Sequence, residues 1–580
     1  MLSFISSSIA TLVALLTLLI FTPALAGHVI SIAFRGFGYL IRRKTKGRRE
    51  LIRARVRVEE EDYRSSRRRR EAGSSTAPKT EEEEEDWEKV EEYSGETSGN
   101  SSDSNGDATG HGDWAGIVGF FHPFCNAGGG GERVLWAAID AVQKRWPKAI
   151  CVVYTGDHDV DKATMLHNIK RRFNIQLYPP TVVLMYLRTR KYVVSSTYSR
   201  FTLIAQSLGS LILANEAFNL VVPDIFIDTM GYAFTLALSR YLFPTVPTGA
   251  YVHYPTISTD MLESLSDASG SKGLNAGAGK GWKGAAKLYY WHAFAKLYGW
   301  VGSSIDVVMC NSSWTASHIA SLWLPSRQKS RDPNAFPLPT VIFPPVAVSE
   351  LEDAIKIDVQ SEKEIRQPTI LYIAQFRPEK NHTLVLHAFS RFLKQYTARN
   401  VTLPAELQPS LPPKLVLIGS VRHHSPDETH IYNLRLQTHE LRIRDHTVFL
   451  CDATWPTMLS NLRQASIGVN AMWNEHFGIG VVEYQAAGLI SIVHDSGGPK
   501  QDIVVDLGDG ATGFRATTEV EYAAAFEAAL ALPEEEKVAM RMRARTSAKR
   551  FSSEEFEKKW LIEMEKLIGL QVRRAGGGLK

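Results

Sequence analysis

FFHPFCNAGGGGERVLWAAI, residues 120–139, sets four consecutive glycines, Gly128–Gly131, between two apolar patterns. The run Ile117–Phe121 leads in, and a helical pattern carrying Val134, Leu135 and Ala138 leads out. A strand that feeds a glycine loop and then a helix is the repeating unit of a parallel α/β sheet. Glycines let the backbone come close to a ligand. The helix start beyond them offers free N–H groups to negative charge. A P-loop is excluded, because Glu132 and Arg133 stand where Lys and Ser or Thr would be needed.

The same rhythm continues outward. Strand candidates are Gly116–Phe121, Ala149–Thr155, Leu220–Ile227, Thr248–His253 and Val307–Cys310, with helical patterns at Arg133–Arg145 and Thr202–Ala217. FPLPTVIFPPVAV (336–348) reads as a crossing between domains. After it come strand candidates Thr369–Ala374, Lys414–Ile418, Thr447–Leu450, Ile467–Asn470 and Ile490–His494, with helices at His382–Tyr396 and Val481–Ala487. The expectation is an α/β protein of two Rossmann-like, doubly wound domains facing a cleft, 113–345 and 346–580, the second ending in a C-terminal helix. Ligands of such sheets bind at the carboxyl ends of the strands.

Composition agrees. The chain has 580 residues, too many for one ordinary core, and is 44% apolar and 22% charged, as folded globular proteins are. A net charge of +4 does not point to a nucleic-acid partner. Cys125, Cys151, Cys310 and Cys451 lie far apart, without metal-ligand or redox spacing, and read as reduced core cysteines.

Residues 1–41 contain no acidic residue, and Leu2–Ala26 is apolar over about the 20 residues that span a bilayer. No Lys or Arg precedes Arg35, whereas Arg42, Arg43, Lys44, Lys46, Arg48 and Arg49 follow. That order favours an uncleaved transmembrane helix with a lumenal N-terminus over a signal peptide, and keeps the rest cytosolic. The stretch His28–Ile41 reads as interfacial, and 42–112, with its basic and acidic blocks, as a charged disordered linker. A formal G-x-G-x-x-G at Gly279, Gly281 and Gly284 lies in a Gly-rich loop (264–284) that follows no strand. The aromatic, lysine-bearing Leu288–Gly302 fits either a core helix or one that touches lipid.

Three stretches carry chemistry. NEHFGIGVVEYQAAG (474–488) places Glu475 in a loop and Glu483 near the first turn of a helix, with Gly478 and Gly480 between. Two carboxylates at a helix start accept hydrogen bonds from vicinal hydroxyls, while the free N–H groups favour an anion. AQFRPEKNH (374–382) sets Arg377 and Lys380 three apart at a strand end, a pattern suited to a diphosphate. YVHYPTIS (251–258) puts His253 at the end of a strand. Each taken alone also fits a structural role. Asp157-His158-Asp159 formally matches a D-x-D metal motif but reads as an acidic turn.

Their order along the chain resembles the retaining glycosyltransferases of family 4, which have the GT-B fold. The resemblance implies that Arg377 and Lys380 grip the donor diphosphate. Glu475 then contacts the sugar hydroxyls, helped by the backbone N–H groups of Phe477, Gly478 and Ile479. Glu483 holds the ribose, and His253 approaches the transferred sugar near the reaction centre. Gly130 and Gly131 form the first domain's side of the cleft, facing the donor diphosphate and the incoming acceptor. The length and wording of the motifs from Trp114 to Leu567 are similar to one branch, the endoplasmic-reticulum α-1,2-mannosyltransferases. These extend the dolichol-diphosphate-linked oligosaccharide from GDP-mannose on the cytosolic face, adding its fourth and fifth mannoses. The implied partners are that donor, that acceptor, the membrane and other mannosyltransferases of the pathway, with no nucleic acid, metal or cofactor. The alternatives are a membrane-bound relative with another nucleotide-sugar donor, a catalytically silent pathway scaffold, and a soluble glucosyltransferase of the glycogen- or sucrose-synthase kind.

Overall fold

The computed structural model describes residues 2–73, 113–267, 276–328, 338–401, 411–422 and 425–576. Thirteen strands are found among them. They are β1 (Ile117–Phe121), β2 (Ile150–Thr155), β3 (Val182–Tyr186), β4 (Ile225–Asp228), β5 (Thr248–Val252), β6 (Val307–Cys310), β7 (Thr340–Val341), β8 (Gln367–Ile373), β9 (Lys414–Gly419), β10 (Thr447–Cys451), β11 (Ala465–Asn470), β12 (Ile490–His494) and β13 (Gly513–Ala516). They form a seven-stranded sheet, β3-β2-β1-β4-β5-β6-β7, and a six-stranded sheet, β10-β9-β8-β11-β12-β13. Every pairing is parallel. β1 and β12 are buried along their whole length, as strands covered by helices on both faces must be.

Strand order reverses between β1 and β4 in the first sheet and between β8 and β11 in the second. Each reversal opens a crevice at the carboxyl ends of the strands, because the flanking loops there run in opposite directions. His122 and the glycine loop follow β1, and Arg377 and Lys380 follow β8.

Helices used below are α1 (Leu2–Gly73), α2 (Gly130–Arg145), α3 (Thr202–Leu220), α4 (Ala233–Leu242), α5 (Gly281–Gly302), α6 (Ser313–Arg327), α7 (Ile479–Ala486) and α8 (Ser553–Gly576). Two of them revise the domain expectations. The 42–112 linker is helical in its first part, since α1 runs on to Gly73. The reason lies in its side chains. Ile41, Ile52 and Val56 bury against the first domain's core, and Arg48 donates to the carbonyls of Asn219 and Leu220 at 3.0 and 3.1 Å. Those carbonyls end α3, where unpaired C=O groups and the helix dipole favour a cation. Arg49 pairs with Asp224. Residues 74–112 lie outside the described residues, as do 268–275 of the Gly-rich loop and the side chains of the expected anchor at 2–26. Among the described residues no helix is long and apolar enough to cross a membrane.

The second revision concerns the C-terminal helix. α8 packs on the first domain, not on the second that precedes it. Phe556, Trp560, Met564, Leu567 and Ile568 join the core of Val118, Leu135 and Tyr251, and Arg574 pairs with Asp306 at 2.6 Å. The apolar stripe of α8 thus ties the two halves together, with the chain crossing between them within 338–348 and again before Ser553.

Candidate active site

The first domain contributes one wall. Gly128 adopts φ +82°, a left-handed conformation that suits glycine, and directs the chain into α2. The Gly129 N–H donates to the Glu132 carboxylate at 2.7 Å, which caps the helix start. Burial pushes the Glu132 carboxyl up, but His122 and the Gly129 N–H outweigh it and hold it below its ordinary range. His122 Nδ1 meets Thr229 Oγ1 at 2.7 Å, and His253 Nε2 lies 3.1 Å from the Thr229 carbonyl oxygen. A carbonyl only accepts, so Nε2 of His253 carries the proton. Burial, with His122 nearby, lowers the His253 pKa to about 4, and the ring is neutral at physiological pH. Gly131 lies against this imidazole, where a Cβ would sit 3.5 Å from Nε2.

The second domain supplies the other wall. After β8, Pro378–Lys380 form one 3-10 turn, closed by Asn381 in the left-handed region. The Tyr372 hydroxyl donates to the Lys380 carbonyl at 2.6 Å and fixes that turn from the core. Lys380 Nζ lies 2.5 Å from Glu475 Oε2, and Asn470 Nδ2 reaches the same oxygen at 3.4 Å. Burial drives the Glu475 carboxyl upward, yet the Lys380 ammonium outweighs it and the group stays below the ordinary carboxylate range. Arg377 carries a buried Nε without a hydrogen-bond partner among the described residues. Gly478 precedes α7 at φ +105°, and a Cβ there would lie 3.1 Å from Pro499. The Phe477 ring packs on Phe343 and Phe551 beneath the loop, so its contribution to the cleft is its backbone. The loop is also held through its carbonyls, since Gly498 N–H donates to Glu475 O at 2.8 Å.

The two walls meet. A Cβ on Gly130 would approach Ile479 Cδ1 to 2.5 Å, so the starts of α2 and α7 face each other across the cleft. The predicted residues Gly130, Gly131, His253, Arg377, Lys380, Glu475, Phe477, Gly478 and Ile479 therefore lie around one crevice. Glu483 stands one turn into α7, and burial raises its carboxyl pKa against the opposing charge of Arg133 on α2. Sequence reasoning missed Arg133 as a site residue, although it directly follows the quoted glycines and Glu132. It also missed the partners of the residues flanking Glu475. Asn474 Nδ2 donates to Asp260 Oδ2 at 2.7 Å, and the His476 ring stacks on Tyr254 at 5.2 Å. Nothing in the spacing of Asp260 announces this role. Asp157 of the D-x-D triplet accepts the Asn126 N–H at 3.0 Å and pairs with Arg190, which gives it local partners.

Comparison with known proteins fits this geometry. The family model described as ALG11 mannosyltransferase N-terminus matches residues 115–323, and that of glycosyl transferases group 1 matches residues 353–550. A Neurospora crassa protein named GDP-Man:Man(3)GlcNAc(2)-PP-Dol alpha-1,2-mannosyltransferase is 54% identical over 550 residues, covering 92% of each chain. A Homo sapiens protein of the same name is 43% identical over 455 residues, 78% of this chain and 87% of that one. Among solved structures, the Candida albicans trehalose-6-phosphate phosphatase N-terminal domain aligns with a TM-score of 0.55 at 14% identity, over 80% of this chain and 99% of that one. The alpha,alpha-trehalose 6-phosphate synthase of Burkholderia multivorans gives 0.54 at 13% identity, over 78% and 98%. At such identities these structures speak to fold alone. Two parallel-sheet domains with facing switch points, and a group 1 domain in the second half, make this the GT-B fold.

Proposed function

Since the chain belongs to the ALG11 mannosyltransferase family, we propose that it transfers mannose from GDP-mannose in α-1,2 linkage to the dolichol-diphosphate-linked Man3GlcNAc2 oligosaccharide, with retention of configuration. The observation that carries this reading to the site is the Lys380–Glu475 pair beside the start of α7, facing Gly130 of the other domain. A nucleoside diphosphate fits there. Arg377 and Lys380 supply fixed cations, and the first N–H groups of α7 add a dipole of the same sign. Glu475, kept ionised by Lys380, accepts hydrogen bonds from mannose hydroxyls. In this reading Glu483, one turn into α7, holds the ribose.

Retention follows when the acceptor hydroxyl enters on the face that the diphosphate leaves. The bond from the anomeric carbon to the phosphate oxygen breaks, the bond to the acceptor oxygen forms, and the hydroxyl proton passes to the departing phosphate oxygen. The protein's task is then electrostatic, as cations stabilise the departing GDP and carboxylate and imidazole groups surround the cationic sugar. The neutral His253 suits this role, because a protonated ring would repel a developing oxocarbenium centre. Arg377, Lys380 and the α7 start supply this charge from the chain's own groups.

On this reading the protein sits on the endoplasmic reticulum, anchored by a single pass at residues 2–26 with the catalytic body cytosolic. Basic side chains of α1 just after that stretch support this orientation. α5 supports contact with the lipid surface, since Trp282, Tyr289 and Trp300 are exposed on a helix with Lys283, Lys287 and Lys296 and no acidic residue. A glycan found on Asn381, in the acceptor pattern Asn381-His382-Thr383 beside Lys380, would overturn this orientation. The activity is tested by incubating the membrane-bound chain with labelled GDP-mannose and defined lipid-linked acceptors. New α-1,2 linkages on Man3GlcNAc2-diphosphodolichol are expected. Transfer from a different nucleotide sugar, or GDP-mannose binding without transfer, would refute it.

A further inference from the structure

Residues 474–476 straddle the cleft. Glu475 turns to Lys380 of its own domain, while the side chains on either side of it turn to the other domain. Asn474 is in the left-handed region at φ +51° and its N–H donates to Ser496 Oγ at 2.7 Å, so its backbone is pinned within the second domain. Its amide Nδ2 crosses to Asp260 Oδ2 at 2.7 Å. His476 stacks on Tyr254 at 21° between ring planes and lies 5.3 Å from the Trp314 ring.

Asp260 is itself held. The Trp314 indole N–H donates to the same Oδ2 at 3.2 Å, and His318 Nε2 is 3.5 Å away. His318 is oriented by Thr259 Oγ1, 2.8 Å from its Nδ1. Trp314 and His318 stand one turn apart on α6, which places both on one face. The first domain thus presents a built acceptor, a carboxylate with one oxygen aimed at the donor loop of the second. A second bond across the same seam joins Ser313 N–H to Asp502 Oδ2 at 2.9 Å.

We propose that Asp260 is a positioning residue, which clasps Asn474 when the cleft closes and thereby fixes Glu475 against Lys380. Closing the domains and arming the sugar-binding carboxylate are then one event. Diphosphate binding by Arg377 and Lys380 involves the second domain alone and does not need the clasp. The inference rests on the proposed transfer reaction, and the wild-type chain's own transfer activity is the control that separates the two.

The test exchanges the two groups. Asn474→Asp sets two carboxylates face to face, and kcat for mannosyl transfer should fall by about 10–100-fold, the loss expected for a charge-assisted hydrogen bond turned to repulsion. GDP affinity, measured by titration calorimetry on the full chain, should stay within about twofold by the same reasoning. The double variant Asp260→Asn/Asn474→Asp rebuilds the bond in the opposite sense and should recover kcat to within about threefold of wild type. The idea is overturned if Asn474→Asp keeps its kcat, if GDP affinity falls in step with kcat, or if the double variant is no better than the single. Thermal unfolding of each variant separates loss of clasp from loss of fold. A rescue in kcat without a matching gain in Tm supports the clasp, whereas recovery of kcat only in step with Tm refutes it.

Discussion

Removing Lys380 should destabilise the second domain in a way that depends on pH. In the wild type, Glu475 Oε2 has the ammonium at 2.5 Å and the Asn470 amide at 3.4 Å. The Glu475 side chain is 13% exposed and that of Lys380 21%, so water replaces neither partner well. Lys380→Ala leaves a buried carboxylate with one long hydrogen bond. Breaking such a pair costs about 3–5 kcal/mol when the charge must stay. The carboxyl has an escape, which is to bind a proton. At pH 7 that limits the cost to about 1.4 kcal/mol for each pH unit above its unfolded pKa, or roughly 3.7 kcal/mol. A loss of about 3 kcal/mol corresponds to a Tm drop of about 6–12 °C for a domain of this size. The sign with pH follows from the direction of the shift. Wild-type Glu475 has a lowered folded pKa, so its stabilisation is present above the unfolded pKa and is lost as pH falls through the folded one. Without Lys380, burial is the largest remaining influence, outweighs the long Asn470 hydrogen bond and the neutral His476, and sets the folded pKa above the unfolded one. The penalty is then present at neutral pH and vanishes as pH drops below about 4.3. Differential scanning calorimetry of the full chain in detergent at pH 7 and pH 4 reads both. A second variant, Lys380→Met/Glu475→Leu, removes both charges and should regain most of the lost stability while mannosyl transfer stays absent. A Tm loss equal at both pH values, or a double variant no more stable than Lys380→Ala, would refute the reasoning.

Three further outcomes are expected. Gly478→Ala forces a side chain into φ +105° and within 3.1 Å of Pro499, and should cost about 1–3 kcal/mol by urea unfolding along with most transfer activity; an unchanged midpoint counts against the strained turn. His253 and His476 have pKa values lowered to about 4 and His382 to about 3, each through burial first, so all three are neutral in the fold. Their unfolded forms take up protons below about pH 6.5, and stability should fall from there toward pH 4 by up to about 1.4 kcal/mol per pH unit for each ring; a flat urea midpoint between pH 7 and pH 5 would contradict this. Trp282→Ser/Tyr289→Ser should slow transfer to an acceptor embedded in bilayers several-fold while leaving a detergent-dispersed acceptor unaffected, and an equal effect on both would place these rings in the fold's own packing rather than at lipid.

The parts of the fold legible in sequence were those with dense apolar runs. Val307–Cys310 and Ile490–His494 were read to the residue, because both are short, buried and bounded by polar turns. β3 and β7 were not. β7 is two residues inside a proline-rich crossing, where its pairing with β6 comes from the sheet edge and not from its own pattern. α8 read as a helix, but its destination did not, since an apolar stripe says that a face is buried and not against which domain. The basic run of α1 read as a charge boundary, whereas the fold spends Arg48 and Arg49 on the end of α3 and on Asp224. At the site, motifs within one loop were visible, as with Glu475 and Gly478. Bonds that cross between domains, such as Asp260 to Asn474, join residues 214 apart and leave no local mark.

Lys380 has two duties in this arrangement, and they fit together only in the order that catalysis needs. A buried carboxylate accepts sugar hydroxyls well because it competes with little water, yet burial also pushes it toward protonation, which would remove its acceptor strength. The ammonium at 2.5 Å resolves that conflict and keeps Glu475 ionised. In the proposed reaction a donor diphosphate brings further negative charge to the same corner. Lys380 cannot neutralise both alone, so the remaining charge falls to Arg377, whose buried Nε has no hydrogen-bond partner among the described residues, and to the open N–H groups at the α7 start. The shared cation couples donor binding to the state of Glu475. On the proposed reading, as the diphosphate draws on Lys380 the hold on Glu475 weakens, and the sugar hydroxyls take over as its hydrogen-bond partners. GDP alone lacks those hydroxyls. GDP-mannose should therefore bind more tightly than GDP in the wild type, and the difference should disappear in Glu475→Gln, which keeps the shape but not the charge. Equal affinities of GDP and GDP-mannose for the wild-type chain would show that Glu475 makes no use of the sugar.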